Sequence, residues 1–372
     1  MLFISRLKGG EYAEKTELTY ARSIFCIIIV IVHVMNGFIN DIHAGEVQRQ
    51  LIKYLQILLL SATPCFIMLS ETLLGMRYSK HLPKNFLTKR IKFILIPYIF
   101  FALFIIFEIY FDPAKHHTLW YLVLNILIEG KFFGWFVLVI FQFFILHIIF
   151  HKALDKMKAL IPIVVSFAIS FAHAILMYYS TNYLNWWSEH YILYNRTIIL
   201  NWLFYFVLGF YIGKYYDAVM KFVHQKIYWF LLLLVVSAGI IAINIFKFDV
   251  HLNESNRFDL FIFSGVFFVL IISLSKVLCH VHLTFIYLIS EISFFVYLSH
   301  QIIVEHISRG LSSFVRYPFM FLTLTTIFTI GFCIGLAIVL SFIPYARIIV
   351  GRNTLYPMVL NNYSLKQEIK ES

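Results

Sequence analysis

Long apolar runs separated by short polar links are the dominant pattern of this chain. Ten runs stand out, at 19–39, 53–75, 91–111, 134–151, 160–179, 197–213, 227–246, 258–277, 286–308 and 322–344. A helix needs about 20 mostly apolar residues to cross a bilayer, and each run approaches that length. The pattern predicts an all-α, polytopic integral membrane protein with about ten transmembrane helices. An eleventh stretch, Leu119–Ile128, is too short to span and is expected to lie at the interface or to re-enter. The first run holds Arg22 and His33 and lacks a small-residue cleavage site, which argues against a cleavable signal peptide. No link is long enough for a soluble domain. Residues 1–372 therefore read as one membrane domain, with its core at about 18–345 and tails at 1–17 and 346–372.

Composition sharpens this picture. The 372 residues are 61% hydrophobic, 19% aromatic and 13% charged, whereas soluble domains carry roughly 25% charge. A water-soluble fold is excluded. The net charge of +11 does not point to nucleic acid, because such an excess in a membrane protein marks cytoplasmic loops. Alternate links carry 20 Lys and Arg on one side and 9 on the other, with Arg22 inside the first run. Both termini are thus expected to be cytoplasmic, which an even number of spans requires. Cys26, Cys65, Cys279 and Cys333 are far apart and form neither a disulfide framework nor a zinc pattern. His116-His117 lacks carboxylates at ligand spacing, so no metal site is expected. No GxxxxGKS/T, HExxH or GxSxG motif occurs. The segment 182–190, with two tryptophans, fits either an interfacial belt or a sugar-binding surface.

Ionisable groups inside lipid cost roughly 2.5–3.5 kcal/mol at a helix centre on insertion scales, so each needs a reason. Here they are Arg22 and His33 in the first run, Glu71 in the second, and Glu291 and His300 in the ninth; Gln142 in the fourth is polar but neutral. His33 lies eleven positions after Arg22, which puts both on one helix face roughly 16 Å apart along the axis. His300 is expected at a depth similar to His33, on another helix running the same way. Singly, each residue also fits a plainer role. An arginine can snorkel to the headgroups, and a histidine can bond a neighbouring helix. Jointly they point to a buried polar cavity.

Arg22 and His33 with ten residues between them resemble the signature of the acyltransferase-3 family of integral membrane proteins. Further segments match in order: Thr63–Ser70, Thr88–Pro97, Gly134–Phe144 and Ile292–His300. The resemblance spans about 18–345 and implies the fold expected above. It also implies an O-acyltransferase that moves an acetyl or succinyl group from acyl-CoA to a hydroxyl of a cell-surface polysaccharide such as poly-β-1,6-N-acetylglucosamine. The implied setting is the bacterial cytoplasmic membrane, with acyl-CoA as co-substrate and no metal. Export of the polysaccharide, or assembly with a polysaccharide synthase, stays open as an alternative. On this reading His33 is the base, since an imidazole with pKa near about 6.5 suits proton transfer at neutral pH. Glu71 and His300 orient it or share its proton. Arg22 holds phosphate or the thioester arm, and Ser70 donates to the oxyanion. Arg90 and Lys92, in a basic link with Arg77, Lys80, Lys84 and Lys89, meet the nucleotide phosphates. Trp135 and Gln142 belong to the fourth-span substrate-binding signature. Two departures stand out: Glu71 where many members have glycine, and Gln142 where many have glutamate.

Overall fold

The computed structural model describes residues 15–41, 46–250, 254–281, 283–312, 314–315, 317–343 and 345–351. Residues 1–14 and 352–372 of the expected tails lie outside the described residues. The order of helices is α1 (Thr16–Asp41), α2 (Glu46–Leu59), α3 (Ala62–Tyr78), α4 (Phe86–Arg90), α5 (Ile96–Tyr110), α6 (Leu119–Leu122), α7 (Phe136–Lys156), α8 (Leu160–Tyr179), α9 (Thr181–His190), α10 (Leu203–Lys214), α11 (Tyr216–Gln225), α12 (Ile227–Phe246), α13 (Leu260–Leu278), α14 (Thr284–Ser312) and α15 (Pro318–Phe342). Helices dominate because in lipid every backbone polar group must be satisfied within its own segment.

Among the described residues nine helices are long and apolar enough to cross a membrane, one fewer than expected. The difference lies in the sixth run. There the chain makes two short 3-10 turns, Asn195–Thr197 and Ile199–Asn201, and becomes α-helical only over the 12 residues of α10. Irregular backbone at membrane depth is tolerated when protein covers it, and Thr197, Ile198, Asn201 and Trp202 are all buried. A second irregularity joins α4 to α5, where Ile91–Leu95 forms a π-helical turn. It ends two residues before Pro97, which cannot donate to the carbonyl four residues back.

Two helix pairs position the site. α1 lies against α14 and runs parallel to it: Ser23 donates to the Ile286 carbonyl at 2.6 Å, Arg22 meets Ser290 at 3.4 Å, and Cys26 faces the Ser293 carbonyl. α3 lies against α10, also in parallel. Gly209 and Gly213 form the small-xxx-small seam that lets membrane helices approach closely. A Cβ added at Gly213 would sit 2.1 Å from the Thr72 carbonyl oxygen. α11 closes one face of the molecule against the start of α1, through a Lys15–Asp217 ion pair and a Tyr216 hydroxyl donating to Glu17 at 3.1 Å. That face also carries the basic links 76–92, 152–158 and 214–226 and is called the basic face below.

Candidate active site

The site grows from the parallel α1–α14 pair. Because Arg22 aligns with Ser290 and Cys26 with Ser293, the same register carries His33 to His300. Their rings meet edge-on with centroids 4.8 Å apart. His300 is fully buried, and its Nδ1 lies 2.9 and 2.8 Å from the carbonyl oxygens of Val296 and Tyr297. Carbonyl oxygens only accept, so Nδ1 carries the proton and Nε2 of the neutral ring presents a lone pair. That Nε2 has no hydrogen-bond partner, and neither has Nδ1 of the half-buried His33. Two imidazoles in contact, each with an unused nitrogen, can pass a proton.

His33 opens into a cavity of about 540 Å³ on the face opposite the basic one. Trp135, Phe132 and Tyr194 supply aromatic walls, while Glu129, Lys131, Arg196 and Gln301 supply polar ones. Lys131 pairs with Glu129 at 2.5 Å, and that carboxylate holds the ammonium above its usual pKa. Arg196 pairs with Glu254 at 3.3 Å and borders both this cavity and a smaller one of about 90 Å³ on the other flank of His33. The irregular segment before α10 is what places Arg196. Trp202 donates its indole N–H to the Arg196 carbonyl at 2.7 Å and stacks on Trp135, and Gln142 donates to the Thr197 carbonyl at 3.0 Å. The opposite wall is anchored by Tyr297, whose hydroxyl donates to the Phe133 carbonyl at 2.5 Å.

Toward the basic face the same α1–α14 seam is shut. Cys26, Ile29, Phe66, Ser293 and Tyr297 close around His300 and leave no room for a water molecule. Arg22 lies beyond this plug, buried and bonded to Ser290. Among the described residues no group of three His, Cys, Asp or Glu side chains is arranged to hold a metal ion.

The acyltransferase domain family matches residues 15–343, nearly the whole chain. The chain belongs to the acyltransferase-3 family. Its relatives include a Staphylococcus aureus (strain Mu50) protein named "Probable poly-beta-1,6-N-acetyl-D-glucosamine export protein", 30% identical over 94% of this chain and 99% of the relative. A Staphylococcus epidermidis protein of the same name is 26% identical over 94% of this chain and 98% of its own length. No solved structure matches. The acyltransferase-3 chain is thus a multi-pass cell-membrane protein.

Within this acyltransferase-3 chain the remaining expected residues separate into distinct places. Glu71 does not meet the histidine pair. It is buried where α3 faces α7, with Oε2 3.1 Å from Nδ1 of His147 and Oε1 unpartnered. The reason is register: Thr63 reaches the His33 level at the small cavity, and Glu71 lies eight residues, roughly 12 Å, further toward the basic face. His151 continues the line, its ring stacked on His147 at 5.7 Å. The i, i+4 spacing of these two histidines on one run was the signal available for them in the sequence. Ser70 is buried, and its hydroxyl has no partner. Gln142 does not face the cavity, because its amide holds the Leu138 and Thr197 carbonyls. Arg90 is buried at the basic face with its guanidinium 4.0 Å from the Phe86 ring centroid and 5.5 Å from that of Phe144, whereas Lys92 is exposed. Trp135 alone of the signature residues in the fourth run lines the cavity with His33. Arg196 and Gln301 also line it, and neither carries a pattern that marks a site in sequence. The tryptophan-rich segment forms α9, which has no buried residue and is tied to α8 by a His173–Tyr183 bond of 2.8 Å.

Proposed function

We propose that the protein is a membrane O-acyltransferase that moves an acyl group from acyl-CoA on the basic, cytoplasmic face to a hydroxyl of a surface polysaccharide on the other. The observation that carries this reading is the His33–His300 contact at the floor of a polar, aromatic-walled cavity. Aromatic faces with hydrogen-bonding groups between them match a hexosamine, whose rings have apolar faces and polar edges. A hydroxyl of the sugar attacks the thioester carbonyl, His33 takes its proton, and His300 accepts or returns that proton through its bare Nε2. Arg196 and Lys131 favour the negative charge that develops on the carbonyl oxygen. The C–S bond then breaks, and the imidazolium protonates the departing CoA thiolate. Arg22, Arg90 and Lys92 hold the phosphates of the donor on the basic face.

Because the seam around Cys26 and Tyr297 is packed, the thioester arm reaches His33 only after α1 and α14 part along it. Export is the second reading, favoured by the printed name of the relatives, and it needs no acyl donor. Purified protein supplied with radiolabelled acetyl-CoA or succinyl-CoA and a β-1,6-glucosamine oligomer tests the first. Wild type should acylate the oligomer, and His33→Ala should lose roughly 100-fold or more of that rate, the scale of general-base catalysis. Equal rates remove His33 as the base, and no transfer by wild type favours export.

A further inference from the structure

A second cavity, unrelated to the histidine pair, opens sideways into the bilayer. It is a groove of about 540 Å³ with Phe204, Leu208 and Phe261 among its floor residues, and Phe222, Phe230 and Leu233 among those along its rim. The groove lies over α10, α11 and α13, with α8 and α12 also contributing to its lining. α12 is thinly packed, with only Ser237, Ile241 and Ile245 buried. Its lining is almost wholly apolar, and of its two tyrosines Tyr211 already donates its hydroxyl to the Leu154 carbonyl at 2.8 Å.

The geometry points to a binding site for one hydrocarbon chain of an anionic membrane lipid from the leaflet on the basic face. Two features favour a lipid over a second copy of the chain. Helix–helix contacts in membranes use small residues that let backbones approach, whereas this groove is walled mainly by aromatic and large aliphatic side chains. Three lysines also stand next in sequence to its lining residues or to α12 on the basic-face side. Lys158 directly precedes Ala159, Lys221 directly precedes Phe222, and Lys226 directly precedes α12; all three lysines are exposed. Basic residues at a membrane surface attract anionic headgroups, so a chain lying in the groove would have its phosphate among these lysines. Lys214, nearby, is occupied by Asp155 at 3.1 Å and takes no part.

Native mass spectrometry of the detergent-purified full-length chain tests this, with phosphatidylglycerol and phosphatidylethanolamine of identical chains as probes. Wild type should retain one phosphatidylglycerol about five-fold or more better than phosphatidylethanolamine. Gly265→Phe should cut retention of both lipids about five-fold or more, because the new ring fills the groove. A Cβ at Gly265 meets only Leu208 Cδ2, at 3.3 Å, so the backbone need not move. If Gly265→Phe fails to fold, Ala218→Phe fills the same groove from α11. The double variant Lys158→Glu, Lys226→Glu should abolish the preference for phosphatidylglycerol while leaving phosphatidylethanolamine bound as in wild type. Equal retention of both lipids by wild type and the filled variant overturns the proposal. So does a wild-type dimer that the filled variant converts to monomer, since the occupant would then be a second copy.

Discussion

His300 shows how much chemistry one side chain can be assigned from its neighbours. Its Nδ1–H is committed to two carbonyls of its own helix, which fixes the tautomer and leaves Nε2 with a bare lone pair. His300→Asn keeps a donor near the Nδ1 position and removes the Nε2 lone pair. Acyl transfer should fall about 10- to 100-fold with little change in thermal midpoint, read from initial rates and a melting curve on the same preparation. A large drop in midpoint would mean that His300 acts in packing. Glu71 and His147 form a different kind of pair, 1% and 0% exposed. Removing one member of a buried pair leaves the other unsatisfied, at about 3–5 kcal/mol. His147→Leu should therefore lower the melting temperature by many degrees, whereas Glu71→Gln, which keeps an oxygen acceptor for His147, should lower it little. Comparable midpoints for the two variants would contradict the pairing. The shared face of Arg22 and His33 was legible in sequence, because helical periodicity depends on spacing alone. The Glu71–His147 pair was not legible, because it depends on which distant helices α3 faces.

At the level of elements, the α3–α10 seam sets the position of everything on α3. Gly213→Leu would drive a side chain into the Thr72 carbonyl, and overpacking of this kind costs about 1–3 kcal/mol or more. Detergent-solubilised Gly213→Leu should elute as aggregate or melt well below wild type; a wild-type elution profile would mean that α10 can shift freely. The Gly209-x-x-x-Gly213 spacing was readable in the sequence, and it marks a close approach of α10 to α3. The break before α10 was not readable, because residues 197–202 are as apolar as a helix would be. What interrupts the helix is tertiary: Gln142, Trp135 and Trp202 capture that segment and bring Arg196 beside His33. Gln142→Ala should loosen it, raising KM for the oligomer several-fold with kcat less affected. An unchanged KM would show that the segment holds its position without the Gln142 amide.

For the whole molecule, the histidine pair lies between two unequal compartments. One side is an open cavity with aromatic and charged walls, and the other is a closed seam leading toward Arg22 and the basic face. Nine of the ten expected spans, and the matching depths of His33 and His300, followed from hydropathy and helical spacing. The seam did not, because whether side chains seal a path is decided by packing between α1, α3 and α14. This seam must part when donor binds, so a cross-link across it, in an Ile29→Cys, Val296→Cys variant, should stop transfer until reduced. Transfer unaffected by the cross-link would mean that the donor takes another route.

Transfer across the membrane can be read in proteoliposomes of defined orientation. Acyl-CoA is sealed on the basic face with the β-1,6-glucosamine oligomer on the other, then the two are exchanged, then both are placed on one side. Acylated oligomer should form only in the first arrangement, and none with His33→Ala. Product formed with both substrates on the same side would contradict it.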